Sequence, residues 1–204
     1  MNSYSAASTA LGLASWPEQY RQRGKEAVAL ALALYASHFR DQGTPYFDHP
    51  VRVADVLRQE LGVADPDILV LGLLHDALEV SPAAEHMVTV FMGEETLAQL
   101  RAMTPDHRLE RRKKHAGDDG AWHEKLIRLG PETLLVRLAD RVDNLRDLRH
   151  SRVADRRTRF LATLAGTYLP LAEAARSLGP HHEAAYHLLN DEYERHRRDE
   201  GEAG

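Results

Sequence analysis

Three short segments of this sequence set histidines and carboxylates directly against apolar neighbours: Pro45-Tyr46-Phe47-Asp48-His49-Pro50, Leu74-His75-Asp76-Ala77-Leu78-Glu79 and Leu138-Ala139-Asp140-Arg141-Val142-Asp143-Asn144. His75 and Asp76 follow at once on the apolar run Ile68 to Leu74. An ionised carboxylate there is costly unless it is paired or bound to a cation. Glu79 comes four residues after His75, a spacing that predicts one shared helix face. Asp140 repeats the situation after Leu134 to Ala139, with Asn144 one turn further on, and His49 opens its own helix. The two imidazoles and two carboxylates of His49, His75, Asp76 and Asp140 are a complete ligand set for Mn²⁺, Fe²⁺ or Zn²⁺, with positions left for water. Each residue alone has an ordinary use: His49 as a structural helix-start histidine, Asp140 as the partner of Arg137 or Arg141, His75-Asp76 as a chance dipeptide. Their joint order on apolar helices is what points to metal chemistry.

Apolar residues recur at helical spacing almost throughout, with no convincing strand, which predicts an all-α chain forming a single compact helical bundle. Residues 1–14 are Ser/Ala-rich and read as a disordered N-terminus. Ser15-Trp16-Pro17-Glu18 reads as a capping box opening a helix to about Phe39. Asp41 to Pro45 is a turn, and a helix from Asp48 to Gly62 carries Val53, Ala54, Leu57 and Leu61 on one stripe. Asp65-Pro66 caps a helix whose run Ile68 to Leu74 is apolar all round, the mark of a buried centre. Ser81-Pro82 sets the next boundary, and shorter helices follow to about Met103. Residues 104–120, with Arg111-Arg112-Lys113-Lys114, read as a mobile loop. Pro131 opens a long helix, and two more, about 155–177 and 181–197, complete a domain over 15–198 before a tail at 199–204.

The 204 residues hold no cysteine, which excludes thiolate metal sites, cysteine nucleophiles and a disulfide scaffold. With 26 basic and 31 acidic residues the formal charge is −5, against a general nucleic-acid binder but compatible with a phosphorylated ligand held by local arginines. Among the histidines, His181, His182, His187 and His196 lie in polar surroundings and read as solvated. The longest apolar stretch, Ala27 to Phe39, is shorter than the roughly 18 residues of a spanning helix. The first cation is Arg21, so no signal-peptide start is evident. A cytoplasmic protein with no membrane or nucleic-acid partner is expected, and its oligomeric state is left open.

The order His…His-Asp…Asp resembles the signature of the HD-domain metal-dependent phosphohydrolases. Arg40 to Pro50 is similar to the R-x-x-G-x-P-Y-x-x-H-P segment of the (p)ppGpp hydrolase domain in RelA/SpoT proteins. Gly72 to Glu79 resembles that family's L-L-H-D-x-x-E-D box, and Val136 to Arg146 its K-L-A-D-R-x-x-N-L-R box. The small single-domain alarmone hydrolases, including the metazoan SpoT-like form, are the nearest in kind, since no room for a synthetase domain or regulatory tail is expected.

The resemblance implies an HD-domain helical bundle in which His49, His75, Asp76 and Asp140 hold one Mn²⁺, lowering the pKa of a water towards ~7 and polarising a phosphoryl oxygen. It implies that Glu79 orients or deprotonates the attacking water and that Arg40 and Asn144 contact the nucleotide. Tyr46 would border or stack on it, and Arg137, Arg141 and Arg146 would help neutralise its phosphates. The reaction implied is release of pyrophosphate from the 3′ position of (p)ppGpp, leaving GDP or GTP. The residues by themselves leave other uses open: Arg40 as a cation at a helix C-terminus, Asn144 as a surface amide, Tyr46 as a core residue, the arginines of 137–146 as partners of Asp143 or Asp147, and the Arg111 to Lys114 run as a solvated face. Three positions depart from the pattern: Val80 replaces the second acid of the box, Asp41 stands where Lys is usual in the bifunctional enzymes, and Asp147 where many long members have Thr. Asp41 and Val80 motivate one alternative, an HD-type phosphatase on NADPH or a deoxynucleotide, and Val80 a second, a non-hydrolysing alarmone sensor; Asn144-Leu145-Arg146-Asp147 is itself similar to the small hydrolases.

Overall fold

The computed structural model describes residues 2–40, 42–149 and 154–202, so Asp41 lies outside the described residues. At the centre is α4 (Pro66–Leu74), started by Asp65, whose carboxylate accepts from the Asp67 amide at 2.8 Å, and by a proline in the first turn. Every side chain from Leu69 to Leu74 is buried, as an all-apolar helix must be. Around it pack α2 (Glu18–Tyr35), α3 (Asp48–Asp55) and α10 (Pro131–Leu148). Helix α3 runs on through a π turn, Val56–Glu60, and stops at Gly62, whose φ of 72° suits glycine. One contiguous core joins Ala7 to Leu189. Among the described residues there is no strand beyond an isolated Phe39–Pro45 bridge, and no helix is long and apolar enough to cross a membrane.

Several expectations are corrected. Residues 3–11 are not disordered: they form α1 (Ser3–Leu11), capped by Asn2 and ended at Gly12. Its Ala7, Ala10 and Leu11 are buried, and Arg58 donates to the Ala10 and Thr9 carbonyls at 3.0 and 3.3 Å. The Ser15 hydroxyl turns back to the Gly12 carbonyl at 2.8 Å, so no capping box forms and α2 begins at Glu18. Helix α4 ends at Leu74, and a separate short α5 (Ala77–Val80) follows, so His75 and Glu79 do not share one continuous helix.

Beyond Ser81 come α6 (Ala84–Met92) and α7 (Glu94–Ala102). The segment 104–120 contains α8 (Asp106–Leu109) and the start of α9 (Asp118–Ile127), with Arg112 forked onto Asp118 at 2.7 and 2.8 Å. The chain closes with α11 (Ala154–Thr163), a π turn at Leu164–Tyr168, α12 (Leu169–Ala175) and α13 (Pro180–Glu202), which continues into the expected tail. Because α13 packs along α10, His182 and His196 are buried rather than solvated and bond to the Pro131 and Leu145 carbonyls at 3.0 and 2.7 Å.

Candidate active site

His49 enters from the first turn of α3, His75 from the end of α4, Asp76 from the break before α5 and Asp140 from the middle of α10. The His49 Nε2 lies 3.3 Å from Asp140 Oδ1 and 3.5 Å from Asp76 Oδ2; the His75 Nε2 lies 3.7 and 3.2 Å from the same two oxygens. Two imidazole nitrogens and two carboxylate oxygens thus converge on one point from three helices and a bend. All four side chains are at most 6% exposed by residue.

The surroundings fix how each group points. The His75 Nδ1 bonds to the Gly72 carbonyl at 2.8 Å; a carbonyl only accepts, so Nδ1 carries the proton and Nε2 presents its lone pair. The His49 Nδ1 faces Asp143 Oδ2 at 2.6 Å, and Arg52 forks onto that carboxylate at 2.7 and 3.0 Å. Arg137 Nη1 (3.0 Å) and Arg141 Nε (3.2 Å) donate to Asp140 Oδ2, while Oδ1 faces the histidines and also accepts from the Asn144 amide. Tyr46 donates to Asp76 Oδ2 at 2.7 Å.

This donor set fits a divalent transition metal. The His75 Nε2 is buried with no hydrogen-bond partner, and the donor atoms of His49, His75 and Asp76 lie within 4.8 Å of one another. The charges agree. Burial opposes a charge on His49, but Asp140, Asp143 and Asp76 outweigh it and push the imidazole up to about 10. Burial is likewise outweighed at His75, chiefly by Asp76, and its value rises to about 9. Asp76 and Asp140 are held well below the carboxylate range despite their burial, by His75 and His49 for the first and by Arg141 and both histidines for the second. The cluster is built around positive charge, which a cation supplies without protonating the ligands.

His49, Asp76 and Asp140 line a cleft of about 300 Å³, and His75 is fully buried against them. Glu79, Arg40, Asn144, Tyr46 and Arg141 also line the cleft, joined by Phe39, Arg108 and Arg156. Burial and Asp76 raise the Glu79 carboxyl, against the opposing charge of Arg137. Arg40 donates to Asn144 Oδ1 at 2.8 Å and meets Asp147 at 3.1 Å. Tyr46 is a correction to the stacking role: its ring already lies on Tyr35 at 5.7 Å and under the Arg40 guanidinium at 6.0 Å.

Two arginines are also corrected. Arg137 is 2% exposed and sits beneath the carboxylates rather than in the cleft. Arg146 leaves the site altogether and binds Glu60 and Glu192. Val80 packs against the core, outside the cleft. The Arg111 to Lys114 run does not line it either; Arg112 and Lys114 pair with Asp118 and Asp119. The sequence reading missed Arg52 and Arg108 and saw Asp143 only as a surface partner; its place one turn after Asp140 on α10 was the available signal.

An all-α fold that delivers His…His-Asp…Asp from successive helices to one cleft defines an HD-type domain. The HD domain family model matches residues 27–177, and the chain belongs to that family. It is 33% identical over 136 residues to the mouse guanosine-3′,5′-bis(diphosphate) 3′-pyrophosphohydrolase MESH1, a match covering 61% of this chain and 72% of the mouse protein. It is 29% identical over 168 residues to the bifunctional (p)ppGpp synthase/hydrolase SpoT of Escherichia coli K12, covering 81% of this chain but 23% of that protein. In fold it is similar to the solved structure of a metazoan ortholog of SpoT, with a TM-score of 0.73 at 21% identity over 89% of this chain and 98% of that one.

Proposed function

We propose that this protein is a manganese-dependent hydrolase that removes the 3′-pyrophosphate of (p)ppGpp, leaving GDP or GTP. The observation that carries the reading is the convergence of His49, His75, Asp76 and Asp140 on one point, with His49, Asp76 and Asp140 lining an arginine-rich cleft. The named activities of the mouse and bacterial relatives support the choice of substrate. The compartment proposed with this nucleotide is the cytoplasm.

His49, His75, Asp76 and Asp140 would hold the Mn²⁺, which when bound would supply Lewis acidity towards a phosphoryl oxygen and a more acidic water. Glu79, at the cleft wall with its carboxyl raised by burial, would orient the attacking water and take its proton. Arg141 and Arg108 meet the phosphates, where a planar guanidinium gives bidentate contact. Arg40 and Asn144, joined to each other, position the nucleotide across from Glu79. Tyr46 keeps its phenolic proton, because burial and Asp76 both disfavour the phenolate, and so holds Asp76 Oδ2 in place.

The test is anion-exchange analysis of products after incubating the protein with ppGpp and Mn²⁺, beside an Asp76→Ala control. GDP and pyrophosphate, absent in the control, are expected. A fully active Asp76→Ala protein overturns the metal site. Intact ppGpp with Mn²⁺ bound overturns the substrate and moves it to NADPH or a deoxynucleotide; thermal stabilisation by ppGpp without product identifies a sensor.

A further inference from the structure

We infer that Asp143, clamped by Arg52, is a positioning residue that locks the His49 ring so that Nε2 faces the metal-binding cluster. The inference rests on the metal-dependent reading above, and neither residue occupies a specified position of the three sequence boxes. Asp143 is 2% exposed, and both its oxygens are used. Oδ2 takes the His49 Nδ1 at 2.6 Å and Arg52 Nη2 at 3.0 Å, while Oδ1 takes Arg52 Nε at 2.7 Å. The two-point fork fixes the carboxylate plane. Asp147 holds the far side of the fork, accepting from Arg52 Nη2 at 3.1 Å.

Helix phase completes the device. Asp143 follows Asp140 by three residues, so both point from one face of α10. That face grips His49 at both nitrogens, Asp143 at Nδ1 and Asp140 at 3.3 Å from Nε2. A carboxylate accepting from Nδ1–H sets the tautomer, holds the ring and makes Nε2 a better donor to a metal. The same chain of contacts reaches the nucleotide end of the cleft, because Asp147 also meets Arg40 at 3.1 Å. Ring orientation at His49 and the placement of Arg40 are therefore tied through Arg52 and Asp147.

The experiment is a Mn²⁺ titration of metal-stripped protein followed by electron paramagnetic resonance, which reads free Mn²⁺ without any substrate. Asp143→Ala is expected to weaken binding by about 10- to 100-fold, the usual loss when the partner of a ligating histidine is removed. Asp143→Asn keeps one acceptor oxygen and is expected to fall between Ala and wild type. Arg52→Gln, at a half-exposed side chain, is expected to lose less in the same direction. A purely structural salt bridge would lower the unfolding midpoint and leave Mn²⁺ affinity where it was. Wild-type affinity in folded Asp143→Ala overturns the inference and leaves the metal site standing; if that variant does not fold, wild-type affinity in Arg52→Gln overturns it. Absence of Mn²⁺ binding by the wild-type protein overturns the metal site and the inference together.

Discussion

Arg137 lies beneath the cleft with its guanidinium shared among three acids, at 3.0 Å from Asp140, 3.2 Å from Glu79 and 3.5 Å from Asp76. Its face rests on the Trp122 ring at 5.3 Å. Removing it takes the one cation shared by all three acids, leaving Asp140 to Arg141, Asp76 to Tyr46 and Glu79 to Arg108 at 3.8 Å, and breaking a buried charge cluster typically costs about 3–5 kcal/mol. Arg137→Ala is expected to lose about that much stability in urea unfolding with chelator present, and less at saturating Mn²⁺, because the cation gives two of the three acids another partner. A loss under about 1 kcal/mol in chelator, the range of an exposed pair, sinks the argument. Arg137→Lys does not rescue it, since a point charge cannot fork across three acceptors. The sequence showed three similar arginines on one helix and could not rank them. Helix phase does: Arg146 follows Arg137 by about two and a half turns and so faces the opposite side. The ligand types were legible because their order is unusual; which nitrogen met which oxygen was not, because Asp143 and Arg52 come together only when α3 and α10 pack.

Helices α3 and α4 must approach closely for His49 and His75 to meet, and Gly72 is where they do. A Cβ at this position would fall 2.4 Å from Leu57 Cδ1, on a side chain that is fully buried. Gly72→Ala is therefore expected to cost about 1–3 kcal/mol through overpacking. It should also weaken Mn²⁺ binding, because the strain separates the two histidine-bearing helices and shifts the carbonyl that holds His75. Adding Leu57→Ala opens the space, so the double variant should be less destabilised than the two single losses together, with a coupling of about 0.5–3 kcal/mol. Urea unfolding of the four proteins checks it; simple additivity would mean the glycine is not a packing requirement. The periodicity of α4 and α10 was plain in the sequence because their apolar residues are dense. The break at His75-Asp76 was not, since neither residue stops a helix by itself. Asp76 leaves helical geometry at φ −99° and ψ 3°, with its side chain on Tyr46, a contact between segments far apart in sequence. Helix α1 escaped notice for a similar reason: its alanines and Leu11 gain burial only from the surface that α2, α3 and α4 provide.

Across the whole molecule, the four proposed ligands come from residues 49 to 140, so no local segment can assemble the site and an unfolded chain offers a cation nothing comparable. Binding free energy is then folding free energy. At a free Mn²⁺ concentration of 100 times Kd the native state gains about 2.7 kcal/mol. A domain of this size moves its midpoint by about 2–4 °C per kcal/mol, so Mn²⁺ is expected to raise Tm by about 5–11 °C over chelator-treated protein. The shift should grow with the logarithm of metal concentration and vanish in Asp76→Ala. Mg²⁺ should give less at equal concentration, because it prefers oxygen ligands and sheds water reluctantly, whereas half of this donor set is imidazole. A midpoint that Mn²⁺ leaves unmoved in the wild-type protein, or moves equally in Asp76→Ala, would mean that the three helices close over the cleft without any help from a metal.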